Sequence, residues 1–470
     1  MHNFLWHDYE TFGATPSRDR PAQFAAIRTD TNLNEIDAPV MIYCQPTPDY
    51  LPDPVACLIT GITPQICLQR GIPEYQFAQQ IEQLFRQPNT IGTGYNSFHF
   101  DDEITRYLLW RNLRDPYARE WQNGCGRWDL LNVLRAAFAL RPQGIEWPMG
   151  EDNRPTFKLE RLSIANGLQH QNAHDALADV RATIGLARRL KQAQPRLFDF
   201  CLKLRDKKFA ASQIDPAQPF LHVTGMVPVE RGCLMLAYPL ATHPFNKNEI
   251  LVWDLATDPS ELATLDAESI RQRLFSKAAA LPAGQTRLPI KSIHLNRAPI
   301  VIGNINTLEP AQAEHWSIDL AQQMQHAEQL RRMPTRSTLW HDVYQPREFE
   351  PNACDSALYE GFVNNDDRRL LEHLSTLNGE QLATQTVHFD DVRLPELLFR
   401  YRARNFPDSL SKEEQQRWLQ LRSQRLHNGA EGSRSLQDCF NQMDELADDA
   451  DERTESILSE LYDYATAIAP

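Results

Sequence analysis

A chain of 470 residues carrying 62 Asp and Glu against 48 Lys and Arg has a formal net charge of −14, and its length exceeds what one hydrophobic core accommodates, so three domains are expected. An apolar content of 42%, with 9 Trp, 13 Tyr and 21 Phe, excludes a disordered chain, and the absence of any run of the roughly 18 apolar residues that a membrane helix needs excludes that class. No basic and then apolar leader opens the sequence, and the eight Cys never form C-x-x-C or a zinc spacing with His, so a cytoplasmic protein with reduced thiols is expected.

The first readable segment, Phe4-Leu5-Trp6-His7-Asp8-Tyr9-Glu10-Thr11, reads as a strand whose Asp8 and Glu10, two apart, share one face. Two carboxylates about 4 Å apart repel by roughly 4 kcal/mol at the effective dielectric of a protein surface. A shared proton, a basic partner or a hard divalent cation would compensate. Residues 20–29 and 40–44 are further apolar segments separated by a turn at Asn32 and Asn34, an antiparallel meander. Thr63 is a candidate N-cap with Pro64 at the first helical position, and Phe77, Ile81, Leu84 and Phe85 line one face of the next helix. A short strand then leads to Asn96, and a helix opens at Phe100-Asp101. Asp101 or Asp102 reads either as a cap favoured by the helix dipole or as a site carboxylate with partners elsewhere.

Tyr117 and Trp121, four apart on a short helix, are flanked by Arg106, Arg111, Arg114, Arg119 and Arg127. Such spacing is common in cores, but rings among arginines also make a stacking platform for single-stranded nucleic acid. Residues 128–135 read as a buried helix from which Arg135 reaches the same surface. A Pro- and Gly-rich loop, 141–155, precedes a helix over 157–162, and another helix runs from 173 to about 190. His174 at its entrance and Asp179 one turn inside would border one cleft. Residues 195–219 read as a linker carrying Arg205, Lys207 and Lys208, followed by short strands near 221–223, 234–238, 250–253 and 290–296 with a helical insertion at 263–281. Helical periodicity dominates from 310, with a boundary at 347–351. Much of the acid lies between Asp444 and Glu455, so the net charge leaves room for a basic groove elsewhere.

D-x-E on a strand, then N-x-x-x-F-D at a strand-to-helix junction, then H-x-A-x-x-D on a late helix resembles the DEDDh 3'-to-5' exonucleases. His7-Asp8-Tyr9-Glu10-Thr11-Phe12-Gly13, Leu58-Ile59-Thr60-Gly61-Ile62-Thr63-Pro64 and Tyr401-Arg402-Ala403-Arg404-Asn405-Phe406-Pro407 are similar to segments of the bacterial exodeoxyribonuclease I family. So is Arg20-Pro21-Ala22-Gln23-Phe24-Ala25-Ala26-Ile27-Arg28. The resemblance implies a ribonuclease-H-like α/β exonuclease domain (mixed sheet flanked by helices) over residues 1–194. It further implies an SH3-like α+β domain over 195–348 and an all-helical C-terminal domain over 349–470, gathered around single-stranded DNA.

It also implies that Asp8, Glu10, Asp101 and Asp179 hold two Mg2+ ions, with Mn2+ as a substitute, and that His174 is the general base. Glu10 would also face the substrate, and Asn96 would orient the neighbouring loop. The strand would be lined by Arg106, Tyr117, Trp121, Arg135, Lys158, Lys207, His243 and Lys291, the last three assigned partly from where the family carries such contacts. Lys158 stands where the family often has Arg, keeping a cation but losing its bidentate fork. The implied activity is processive hydrolysis of single-stranded DNA from the 3' end to nucleoside 5'-monophosphates in DNA repair and recombination. A 3'-to-5' exoribonuclease and a non-catalytic single-strand-binding adaptor are the alternatives. The implied partner is the acidic C-terminal tail of the single-strand DNA-binding protein, with Arg141 and Phe200 as candidate contacts, and a monomer is expected.

Overall fold

The computed structural model describes residues 2–168, 175–334, 336, 338–345, 352–448 and 450–470. His174 and the expected boundary at 347–351 lie outside the described residues. The chain divides into two compact units. One comprises residues 1–126, 170–184 and 350–470, the other 127–169 and 185–349.

The opening segment is strand β1 (Asn3–Thr11), which pairs antiparallel with β2 (Pro21–Thr29), itself antiparallel to β3 (Val40–Tyr43). This is the expected meander, and the turn before β3 is built on Asp30, whose carboxylate accepts the N–H groups of Asn32 and Asn34 at 2.8 Å. Strand β4 (Thr90–Gly94) lies parallel to β1, and β5 (Gly126–Asp129) completes a mixed sheet of order β3-β2-β1-β4-β5. As the central strand, β1 is covered on both faces, which is why Phe4, Leu5 and Trp6 run consecutively apolar.

Helices α1 (Pro54–Thr60) and α2 (Pro64–Arg70) start on Asp53 and Thr63, each with proline at the first position, so Thr63 is the expected cap. Phe77, Ile81 and Phe85 of α3 (Glu74–Phe85) are buried against Leu5, Tyr9 and Phe24, together with Ile104 and Leu108 of α4 (Asp101–Arg111). The C-terminal helices belong to the same unit. Leu436, Met443, Ile457 and Leu461, from helices Leu436–Ala447 and Glu452–Ile468, share one core with Phe12, Tyr50, Cys57 and Cys67. Beside this core, Asp355 is buried among Arg404 at 2.6 Å, Arg425 at 3.1 Å and Arg400 at 3.3 Å, and Asp49 meets Arg404 at 2.8 Å. Burial alone would raise both carboxyls, but the arginines hold them well below the usual range.

In the other unit, β6 (Phe220–Val223), β7 (Leu234–Thr242), β8 (Glu249–Asp254), β9 (Ile290–His294) and β10 (Ile300–Ile302) form an antiparallel sheet of order β10-β6-β7-β8-β9. The insertion between β8 and β9 contains a helix, Ala267–Phe275.

Two expectations are corrected here. Residues 195–219 contain helices Pro195–Lys203 and Lys207–Ser212, because Phe198 and Cys201 are buried, Pro195 starts the first and Asp206 caps the second. Trp128 and Asp129 belong to β5 rather than to a helix. Asp129 accepts the N–H of Leu131 at 2.9 Å, capping α5 (Leu130–Leu140) and forcing the extended conformation just before it. Two further helices, α6 (Leu159–Ala165) and α7 (Ala176–Ala193), follow α5. Among the described residues no helix is long and apolar enough to cross a membrane.

Candidate active site

The two carboxylates of β1 do share a face. Asp8 and Glu10 stand opposite Ala25 and Gln23 of β2, while the intervening Tyr9 points into the core. Asp179, in the first turn of α7, joins them, and ligand atoms of Asp8, Glu10 and Asp179 lie within 4.8 Å of one another. Burial, followed by the charges of Asp101, Glu10 and Asp179, holds the Asp8 carboxyl well above the usual range. Burial also pushes Glu10 up to about 8, with Asp179, Asp101 and Asp175 adding to it. This donor set repels itself strongly and offers only hard oxygen atoms, so it fits a divalent cation of the Mg2+ or Mn2+ kind.

Asp101 approaches from α4, but its Oδ1 accepts the backbone N–H of Tyr9 at 3.2 Å, and it stands outside the three-carboxylate group. Its charge still reaches Asp8 and Glu10. Tyr9 is fixed from the other side, its hydroxyl 2.9 Å from Thr105 Oγ1. Asp175 was not singled out from sequence. It caps α7 by accepting from Leu177 N at 2.9 Å and Ala178 N at 3.3 Å, and aspartate just before an apolar helix is the signal that marks it. Asn96 adopts a left-handed backbone, φ 62°, in the turn after β4.

The segment that carries Tyr117 and Trp121 is not the short regular helix expected from their spacing. Tyr117 and Trp121 flank a 3-10 turn, Ala118–Glu120, and Trp121 is 63% exposed. Two aromatic residues missed from sequence stand beside them, because they come from a distant part of the chain. Phe362, 85% exposed, lies 5.9 Å from Tyr117 ring to ring, and Tyr359 bonds Arg106 at 2.8 Å. Tyr117 and Phe362 line a cleft of about 220 Å³ with Trp110, Arg114 and Arg368. Arg106 itself is buried rather than open to a phosphate. Its guanidinium takes Glu120 at 2.7 and 2.9 Å and Glu103 at 2.7 Å, and sits over the Tyr117 ring at 5.3 Å.

The other expected contacts lie in the second unit. Arg135 is held by Asn132 at 3.0 Å and lies over Phe157 at 5.8 Å. Lys158 is exposed just before α6. Lys207 bonds Asn248 in the β7–β8 turn. In the same turn His243 Nδ1 accepts from Phe245 N at 3.2 Å and Asn246 N at 3.1 Å, which places the ring proton of the neutral form on Nε2. Lys291 stands on β9 opposite Val252. Arg141 meets Thr307 O at 3.2 Å and Glu309 at 3.5 Å, and Phe200 packs on Phe209.

A mixed sheet with an antiparallel meander, a central strand ending in paired carboxylates and a third acid from a late helix defines a metal-dependent nuclease of the exonuclease class. Residues 5–187 match the exonuclease family, 205–346 the exonuclease I SH3-like domain and 352–468 the exonuclease I C-terminal domain. Exodeoxyribonuclease I of Escherichia coli K12 is 45% identical over 90% of this chain and 89% of its own length. That of Haemophilus influenzae is 41% identical over 98% of both. The structure of a moderately thermophilic exonuclease I from Methylocaldum szegediense superposes with a TM-score of 0.94 at 43% identity, covering 100% of each chain. The E. coli enzyme solved with a dA16 oligonucleotide gives 0.93 at 41%, again over 100% of each, and it has also been solved with single-stranded DNA in a zinc-bound form. The chain belongs to the exodeoxyribonuclease I family, with exonuclease, SH3-like and C-terminal domains in that order.

Proposed function

We propose that this protein hydrolyses single-stranded DNA processively from its 3' end, releasing nucleoside 5'-monophosphates in DNA repair and recombination. The observation that carries the reading is the convergence of Asp8, Glu10 and Asp179 at the end of a buried central strand. The oligonucleotide and zinc complexes of the E. coli relative support a strand and a divalent cation as its ligands. Asp8, Glu10 and Asp179, with Asp101 beside them, would hold two Mg2+ ions, or Mn2+ in their place, and these would supply Lewis acidity at the scissile phosphodiester.

The chain's own groups do the rest. His174 takes the proton of the attacking water, a role suited to an imidazole that is neutral above its reference pKa of about 6.5. Glu10 borders the terminal nucleotide. Trp121, Tyr117 and Phe362 stack on bases, each stacked base contributing about 1–3 kcal/mol. Arg106 braces Tyr117, while Arg135, Lys158, Lys207, His243 and Lys291 line the backbone path.

We place the domain boundaries after residues 194 and 348 and the protein in the cytoplasm, as a monomer. Its protein partner is the acidic C-terminal tail of the single-strand DNA-binding protein. Arg141, which already holds the carboxylate of Glu309 at 3.5 Å, would receive a tail carboxylate, with Phe200 as a second candidate contact.

The test is digestion of 5'-labelled single-stranded DNA with Mg2+, beside excess EDTA, a duplex, a matched RNA and an Asp179→Ala variant. Shortening from the 3' end that spares duplex and RNA and disappears with chelator or variant is expected. Strand binding without digestion would refute the reading, and preferential digestion of RNA would refute its DNA specificity.

A further inference from the structure

The segment that carries Tyr117 and Trp121 is fastened to the first turns of α4 by two consecutive residues. Glu120 takes Nε and Nη2 of Arg106 at 2.7 and 2.9 Å. Arg119 Nη2 donates to Asp102 Oδ1 at 2.7 Å and approaches the Asp102 carbonyl at 3.4 Å. The Arg119–Asp102 pair is almost completely enclosed, its side chains 1% and 2% exposed. Asp102 directly follows Asp101, whose carboxylate receives the N–H of Tyr9 between Asp8 and Glu10. A covalent step and one buried ion pair therefore separate the aromatic platform from the carboxylate cluster.

The pocket around Arg119 is built for a guanidinium. Its Cζ lies 4.6 Å from the Phe85 ring centre, and Phe85 in turn meets His7 edge-on at 4.9 Å. On β4, a Cβ at Gly92 would come within 2.8 Å of Phe85 and 3.6 Å of Arg119 Nη1, so glycine there keeps the space open. Among the described residues Nε and Nη1 of Arg119 have no hydrogen-bond partner. Desolvating a guanidinium to hydrogen-bond one carboxylate, with that of Glu120 4.0 Å away, is a poor source of stability compared with an apolar pair of the same volume. Such a pair makes sense when what matters is where the carboxylate's backbone is held.

We propose that Arg119 is a positioning residue that, through Asp102, sets Asp101 against β1 and thereby couples a base stacked on Tyr117 and Trp121 to cation binding at Asp8, Glu10 and Asp179. This rests on the reading of those carboxylates as the cation site and of the rings as the strand platform. Strand binding should then tighten cation binding, and by linkage cations should tighten strand binding by the same factor.

The experiment is a titration of free Mn2+ by electron paramagnetic resonance on the full-length protein, with and without an oligonucleotide whose 3'-terminal linkages resist hydrolysis. In the wild-type protein the oligonucleotide is expected to raise Mn2+ affinity about fivefold or more. In Arg119→Met most of that enhancement is lost, while Mn2+ affinity without the strand does not fall. Deleting a nearby positive charge would by field alone tighten cation binding, so a loss seen only with the strand has the opposite sign to a simple charge effect. Arg119→Lys, which retains the charge, recovers part of the enhancement, and Asp102→Asn reproduces the loss should Arg119→Met fail to fold. Full enhancement in folded Arg119→Met or Asp102→Asn overturns the proposal and leaves the cation site standing. Failure of the wild-type protein to bind Mn2+ overturns the cation site and the proposal together.

Discussion

Removing a carboxylate from the cluster should stabilise the cation-free protein while destroying its activity. Glu10→Gln is the sharpest case, since glutamine mimics the protonated acid. Burial and the neighbouring acids lift the Glu10 carboxyl from 4.5 to about 8, so folding favours the protonated form. The resulting penalty is absent below the unfolded value, grows as pH rises through the window from 4.5 to about 8, and is complete above it. Each pH step inside that window adds about 1.4 kcal/mol. The variant should therefore match the wild type near pH 4.5, lead it by up to about 3 kcal/mol at pH 7 and by up to about 5 kcal/mol at pH 8. Direct repulsion gives the same scale, roughly 3 kcal/mol for each pair of charges 4.8 Å apart at an effective dielectric of 20. Urea unfolding followed by tryptophan fluorescence in EDTA, from pH 5 to 8, measures it. Excess Mg2+ should erase the lead, because only the wild-type cluster binds it tightly. A lead that is absent, or equal at pH 5 and pH 8, would refute the account of the cluster.

Trp121→Ala should weaken binding of a fluorescent single strand by about 1–3 kcal/mol, read by anisotropy in EDTA, and shorten each processive run. Phe362→Ala should give a loss of the same order, since its ring is 85% exposed and next to Tyr117. Asp355→Asn, which leaves Arg400, Arg404 and Arg425 without their shared carboxylate, should cost about 3–5 kcal/mol of stability in the same urea assay. Arg20→Met should cost much less, because Arg20 is 3.8 Å from Asp355 and its Nε and Nη1 have no partner among the described residues.

What could be read from sequence was local or periodic. The shared face of Asp8 and Glu10 follows from strand alternation, the cap at Thr63 from a hydroxyl before proline, and the buried face of α3 from helical spacing. The exodeoxyribonuclease I family, and with it the order of three domains, was legible because distinctive motifs recur from residue 7 to residue 407. Partners distant in sequence were not legible. Arg106 resembles an open cation when only its neighbours are known, and Glu120 and Tyr359 close it off. Phe362 has no local pattern that would place it beside Tyr117. Residues 195–219 looked like a linker because Pro and Lys punctuate them, whereas burial of Phe198 and Cys201 decides for helix. The pairing of Arg119 with Asp102 likewise depends on a turn between two elements rather than on spacing.

The unit that holds the carboxylates is assembled from residues 1–126, 170–184 and 350–470. Phe12, two residues beyond Glu10, is buried with Leu461 in the helix Glu452–Ile468. During synthesis the strand bearing Asp8 and Glu10 precedes that helix, so the core around Phe12 stays open until the helix has emerged. A chain that lacks this helix therefore carries Asp8 and Glu10 without the core that closes around Phe12. The order of the chain thus sets almost the whole sequence between the paired acids and part of the packing that stands next to their strand.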